Sequence, residues 1–136
     1  MSGKSFLNIT VFSCLATVVV GCEAKRAPNV AALHVEFSWE GAVACSPASP
    51  AFTLRDLPDN TKVISFHMID RDAPLFSHGG GKVAYRGGET IPAGSFAYVG
   101  PCPPGGSHTY EWTVRALNAD ESLILGEGVA TKRFPP

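Results

Sequence analysis

From Leu33 onward the chain alternates. Leu33, Val35, Phe37 and Trp39 are separated by His34, Glu36 and Ser38, the period-two pattern of a half-buried strand. Phe52-Thr53-Leu54 reads as a short strand. Lys62 to Ile69 is nearly continuous in apolar residues, as a central strand of a sandwich would be, and Ser95 to Val99 reads as another short aromatic strand. The clearest pattern runs from His108 to Leu117. Tyr110, Trp112, Val114 and Ala116 fall on one face, with Thr109, Glu111, Thr113 and Arg115 on the other. Glu121 to Leu125 and Val129 to Phe134 look like the arms of a closing hairpin around Gly126-Glu127-Gly128. No segment sustains a 3.6-residue period with caps. Turn signals recur between the apolar runs: Pro58-Asp59-Asn60, Gly87-Gly88, Pro92-Ala93-Gly94 and Asn118-Ala119-Asp120. Many short strands joined by Gly/Pro turns predict an all-β sandwich with little helix.

The first residues follow another pattern. Lys4 precedes an apolar run from Phe6 to Val20 that only Asn8, Thr10, Ser13 and Thr17 interrupt. The run is shorter than the roughly 20 residues that span a bilayer, so it reads as an export signal. Val19-Val20-Gly21-Cys22 has the small-and-apolar-then-Cys form of a bacterial lipobox. Residues 1–21 are therefore expected to be a lipoprotein signal, with Cys22 the lipid site; an ordinary signal peptide ending in Gly-Cys is the alternative. Glu23 is not the Asp associated with inner-membrane retention, so the outer membrane is the favoured destination. Residues 22–32 carry no apolar period and are expected to be a tether, leaving 33–136 as one small domain.

Charge and cysteine usage narrow the picture. The whole chain carries a formal charge of −1. Removing residues 1–21 takes away Lys4 alone. No basic stripe exists, which gives nucleic-acid binding no electrostatic support. Beyond Cys22, Cys45 and Cys102 form one even pair in an exported chain. A disulfide between them is the expected state, with two free buried thiols as an alternative and a catalytic Cys102–His108 couple as a remote one.

Most of the chemistry lies between Asp70 and Tyr110. The segment opens with Asp70-Arg71-Asp72-Ala73-Pro74, passes through His78-Gly79-Gly80-Gly81, and closes with Gly100-Pro101-Cys102-Pro103-Pro104-Gly105-Gly106-Ser107-His108-Thr109-Tyr110. These residues resemble the phosphatidylethanolamine-binding protein family, also called Raf-kinase-inhibitor-like proteins. That family shows an Asp-x-Asp-Ala-Pro turn, a His shortly after it, and a Gly-Pro-x-Pro-Pro…His-x-Tyr run entering a strand. Ser49-Pro50-Ala51-Phe52 and Leu57-Pro58 ahead of Lys62 extend the resemblance, which covers about Phe37 to Phe134. It implies a Greek-key β-sandwich. It also implies a ligand cavity lined by Asp70, Asp72, His78, His108 and Tyr110, with Gly100, Pro101 and Gly106 shaping its wall. A cis Ala73–Pro74 bond is a further expectation.

The chemistry of such a set is that of anion or zwitterion recognition. A carboxylate beside an imidazole favours its charged form. An imidazolium with Gly-rich backbone N–H groups can hold a phosphate or carboxylate. The Asp residues repel a bare dianion, so a small zwitterion such as a phospho-amine head group is favoured. Plainer readings exist for each residue. The two Asp residues could cap a turn, and the His78 glycines could be a flexible loop. His34 and His67, without motif context, are expected to be satisfied core histidines. The chain departs from the family at Arg71, where Pro is usual, and at Thr109, where Arg is common. The family's His-Trp pair is absent, so either His78 substitutes for that His or Gly81 occupies its position. The resemblance also implies a more open site than in longer relatives, which carry a helix beyond the position of Phe134.

Three other classes compete with ligand binding. Acid–base hydrolysis could use the Asp pair and a His, although no Gly-x-Ser-x-Gly elbow is present. A two-His-one-carboxylate metal site could form from His78, His108 and Asp70, but the spacing matches no metal motif. A protein-interaction module is the third, with no partner identified. The expectation is a binding protein with no cofactor and no resident metal. Its partners are expected to be a small anionic or zwitterionic ligand and, through Cys22, the membrane.

Overall fold

The computed structural model describes residues 23–136; the expected export signal, the expected lipobox and Cys22 lie outside the described residues. All regular structure among the described residues is β. The strands are β1 (Lys25–Ala32), β2 (His34–Ser38), β3 (Ala51–Arg55), β4 (Val63–Asp70), β5 (Ser77–Ala84), β6 (Thr90–Ile91), β7 (His108–Leu117) and β8 (Leu123–Phe134). They form a five-stranded sheet in the order β1-β8-β7-β4-β5 and a three-stranded sheet in the order β2-β3-β6. Only β1 is parallel to its neighbour; the other pairs are antiparallel.

The core lies between the sheets. Ile64, Phe66 and Met68 of β4 and Tyr110, Trp112, Val114 and Ala116 of β7 meet Phe37, Phe52 and Leu54 of the smaller sheet. Strand β4 is less uniform than its composition suggests: Ile64, Phe66, Met68 and Asp70 are buried, whereas the alternate residues are half-buried or exposed. Strand β7 obeys the alternation read from its sequence, with Tyr110, Trp112, Val114 and Ala116 wholly inside.

Five expectations are corrected. The tether is a strand over most of its length: β1 lies parallel to β8, from Lys25 beside Leu123 to Ala32 beside Glu127. Main-chain pairing and the Arg26–Glu127 ion pair at 2.7 Å, not an apolar face, hold this edge strand. The closing hairpin is one twelve-residue strand, β8. Gly126 and Gly128 are close-packing positions rather than a turn. A β-carbon on Gly128 would sit 2.4 Å from the Leu33 carbonyl oxygen, and one on Gly126 would sit 2.7 Å from a Leu33 methyl. Ser95–Val99 forms no strand. It makes a single bridge, Ala97 with Ala48, while Phe96 stacks on Phe66 at 4.7 Å between ring centres. His34 and His67 are exposed rather than core residues, and His34 pairs with Glu36 at 2.7 Å. The cis peptide among the described residues is Phe134–Pro135, and Ala73–Pro74 is trans.

Candidate functional site

Sheet register brings the motif residues to one end of the sandwich. Asp70 closes β4 opposite Tyr110 of β7, His108 opens β7 opposite Phe134 of β8, and His78 is the second residue of β5. The β5 glycines belong to the strand rather than to a loop. A β-carbon on Gly80 would meet the Phe66 carbonyl oxygen at 1.8 Å, so glycine lets β5 press against β4. Together these strands and the Cys102–Pro104 segment enclose a cleft of about 220 Å³ lined by Asp70, Ala73, Phe76, His78, Cys102, Pro103, Pro104, His108 and Tyr110. Its walls are mainly apolar and its polar atoms gather at one end, the usual form of a small-ligand site.

Asp70 is the hub. Its side chain is 5% exposed, and His108 Nδ1–H donates to its Oδ2 at 2.6 Å. Its Oδ1 accepts the main-chain N–H groups of Asp72 at 2.9 Å and Ala73 at 3.1 Å. The plain reading of Asp70 as a turn cap and the reading as an imidazole partner therefore both hold. Burial pushes this carboxyl up, but the hydrogen bonds from His108, Asp72 and Ala73 outweigh it and hold the carboxyl below its ordinary value. With Nδ1 donating to the carboxylate, the half-buried His108 ring has Nε2 left to face a ligand.

His78 is almost fully buried, and its Nδ1–H donates to the Val99 carbonyl at 2.6 Å. A carbonyl only accepts, so the neutral tautomer leaves Nε2 as an acceptor. The ring stands edge-on to Tyr110 at 5.4 Å and packs against Phe76 at 4.8 Å. Tyr110 is the cleft floor. It is wholly buried, and its hydroxyl has no hydrogen-bond partner among the described residues. Burial first, then the nearby Asp70 carboxylate, pushes this phenol up to about 12.

The other expected site residues stand apart from the cleft. Asp72 turns away: its Oδ2 accepts the Thr109 N–H at 2.6 Å, and with Arg71 N–H on the Thr109 carbonyl at 2.8 Å it stitches the loop after β4 to β7. Arg71 reaches outward to Glu111 at 3.4 Å. Gly100 packs on the segment behind the cleft wall, where a β-carbon would meet the Ser46 carbonyl oxygen at 1.9 Å. Pro101 lines a separate cavity of about 110 Å³ with Trp39, Ser46, Ser49 and Tyr98. Gly106 takes a positive φ of 69° in an exposed turn that only a residue lacking a β-carbon adopts freely. Sequence reasoning missed Ala73, Phe76, Pro103 and Pro104 as lining residues. All lie inside or between the two motifs, so proximity to the motif was the available signal. Cys45 and Cys102 are bonded, with Cα atoms 4.7 Å apart. No group of three or more His, Cys, Asp or Glu side chains that could hold a metal ion occurs among the described residues.

No family model matches this chain, and no curated protein matches it. Solved structures do. One is described as a phosphatidylethanolamine-binding protein homologue, CT736, from Chlamydia trachomatis. It is 14% identical, with a TM-score of 0.56 over 77% of this chain and 98% of that one. Another is YbcL from E. coli, described as a new member of the mammalian family of these proteins. It is 18% identical, with a TM-score of 0.51 over 65% of this chain and 80% of that one. The chain has the fold of the phosphatidylethanolamine-binding proteins.

Proposed function

We propose that this protein binds a small anionic or zwitterionic ligand of the phosphate or head-group type at the polar end of the cleft. The observation that carries this reading is the His108–Asp70 pair. A buried carboxylate already anchored by two main-chain N–H groups orients His108 through Nδ1. With Nδ1 taken, Nε2 is the ring's remaining polar atom, held in a fixed direction as a hydrogen-bonding partner for the ligand. Phe76, Ala73, Pro103 and Pro104 form the apolar part of the same cleft.

The proposal extends to location. The apolar run ending in Val-Val-Gly-Cys supports export and lipid attachment at Cys22, with two acyl chains sufficient for stable anchoring. The domain would then present its cleft at the bacterial envelope, with the outer membrane favoured. A second reading, a protein-interaction module, draws support from one observation: Leu75 is fully exposed and Phe76 is 55% exposed beside the cleft mouth.

Titration calorimetry with O-phosphorylethanolamine tests the first reading. Saturable binding by the wild type that His108→Ala abolishes supports it; equal binding by both proteins overturns it. A pull-down from envelope extract that Leu75→Ser/Phe76→Ser removes and His108→Ala leaves intact would favour the second.

A further inference from the structure

The Cys45–Cys102 bridge does more than join two loops. Cys102 lines the ligand cleft, beside Pro103 and Pro104. Both half-cystines are exposed at the surface, unlike a bridge sealed in a core. Between Pro101 and Ser107 no main-chain hydrogen bond is made among the described residues, and two of the intervening residues are prolines without an N–H. This cleft wall is therefore clamped at its ends only. Its far end is held by Ser107, whose hydroxyl donates to Pro135 and whose carbonyl accepts from Arg133. Its near end is held by the bridge and by Cys45 N–H on the Pro101 carbonyl at 2.9 Å. Cys45 sits at φ 64°, a left-handed conformation that a residue with a β-carbon leaves readily when released.

We propose that the bridge is a redox latch on the ligand cleft: reduced, the Cys102–Gly106 wall swings away from His78 and His108 and the site loses its ligand. The reductant is a dithiol, such as a Cys-x-x-Cys oxidoreductase. One of its thiolates attacks an exposed sulfur of the bridge, and its second thiol resolves the mixed disulfide. Two electrons and two protons pass to Cys45 and Cys102, the sulfur–sulfur bond breaks, and the dithiol becomes a disulfide. The sandwich keeps its fold, because the core rests on strands that the bridge does not join. The ligand part of this inference rests on the proposed function; the movement of the wall does not.

The test treats the native protein with excess dithiothreitol, without denaturant, and follows it three ways. Far-ultraviolet circular dichroism reports the sheets, imidazole NMR signals report His78 and His108, and calorimetry reports O-phosphorylethanolamine. The latch requires reduction under native conditions, unchanged circular dichroism, shifted imidazole signals, and binding weakened by about tenfold or more. The Cys45→Ser/Cys102→Ser protein should reproduce the reduced state. A bridge that resists the reagent, imidazole signals that stay put after reduction, or loss of the whole fold would each overturn the latch. If the oxidised protein binds no O-phosphorylethanolamine, the proposed ligand class falls, and the imidazole signals still decide whether the wall moves.

Discussion

Replacing Asp70 by Asn removes one charge and leaves the shape of the hub intact. Asp70 accepts three hydrogen bonds, from His108 Nδ1 and from the N–H groups of Asp72 and Ala73, while its side chain is 5% exposed. An Asn carbonyl keeps the two turn bonds and gives up the charge-assisted bond to His108, at a cost of about 2 kcal/mol. For a domain of this size that lowers the melting temperature by about 10 °C. Asp70→Ala, which strands all three donors, should cost about 3–5 kcal/mol. The pH dependence gives the sharper signature. The Asp70 carboxyl is held below its ordinary value in the folded chain. Its contribution is therefore complete above the unfolded carboxyl pKa of about 3.9 and disappears as pH falls through the lower folded value. Urea unfolding of wild type and Asp70→Asn with the disulfide intact should differ most near neutrality and converge as the solution becomes strongly acidic. A difference below about 0.5 kcal/mol at neutral pH, a value typical of neutral surface changes, would refute the reasoning. So would a difference that does not shrink in acid.

Three further outcomes follow from the packing. Gly128→Ala places a β-carbon 2.4 Å from a main-chain carbonyl oxygen and should destabilise by about 1–3 kcal/mol; unchanged unfolding in urea would show that β8 does not pass beneath Leu33 as described. Tyr110→Phe deletes a buried hydroxyl that has no partner, so stability should stay level or rise by about 1 kcal/mol, and a loss of that size would mean the hydroxyl is bonded. Ultraviolet absorbance titration should show Tyr110 ionising only near 12, with Tyr98 also delayed by burial and by the neighbouring Tyr110; full ionisation of all three tyrosines by about pH 11, a unit above the free phenol, would contradict the buried floor.

Strand β7 was legible because one face enters the core and the other does not, so its alternation survives unbroken. Strands β1, β5 and β8 were not, for separate reasons. In β1 the Lys-Arg-Ala-Pro-Asn run hides a strand held by main-chain pairing at its two ends and by the Arg26–Glu127 ion pair. In β5 and β8 glycines that normally signal turns are present because another backbone passes within a β-carbon's reach. The aromatic pattern of Ser95–Val99 misled in the opposite direction, since Phe96 and Tyr98 enter the core from a loop. At the site, the strand-end residues Asp70, His108 and Tyr110 were readable as one set, because strand order and parity carry them to a common rim, whereas His78 entered only through the family resemblance, since its strand was read as a loop. The loop residues were not. Whether Asp72, Gly100, Pro101 or Gly106 faces the cleft depends on loop dihedrals and on the Cys45–Cys102 bridge, which residue spacing does not encode.

The central claim is that His108, oriented by Asp70, is the ligand's polar contact. The most direct measurement is an NMR titration of the histidine rings of the oxidised wild-type protein with O-phosphorylethanolamine. The account expects the His108 signals to move saturably, His78 to follow more weakly across the shared cleft, and the exposed His34 and His67 to stay fixed. Saturable binding that leaves His108 unmoved, or that perturbs His34 or His67 instead, would contradict it.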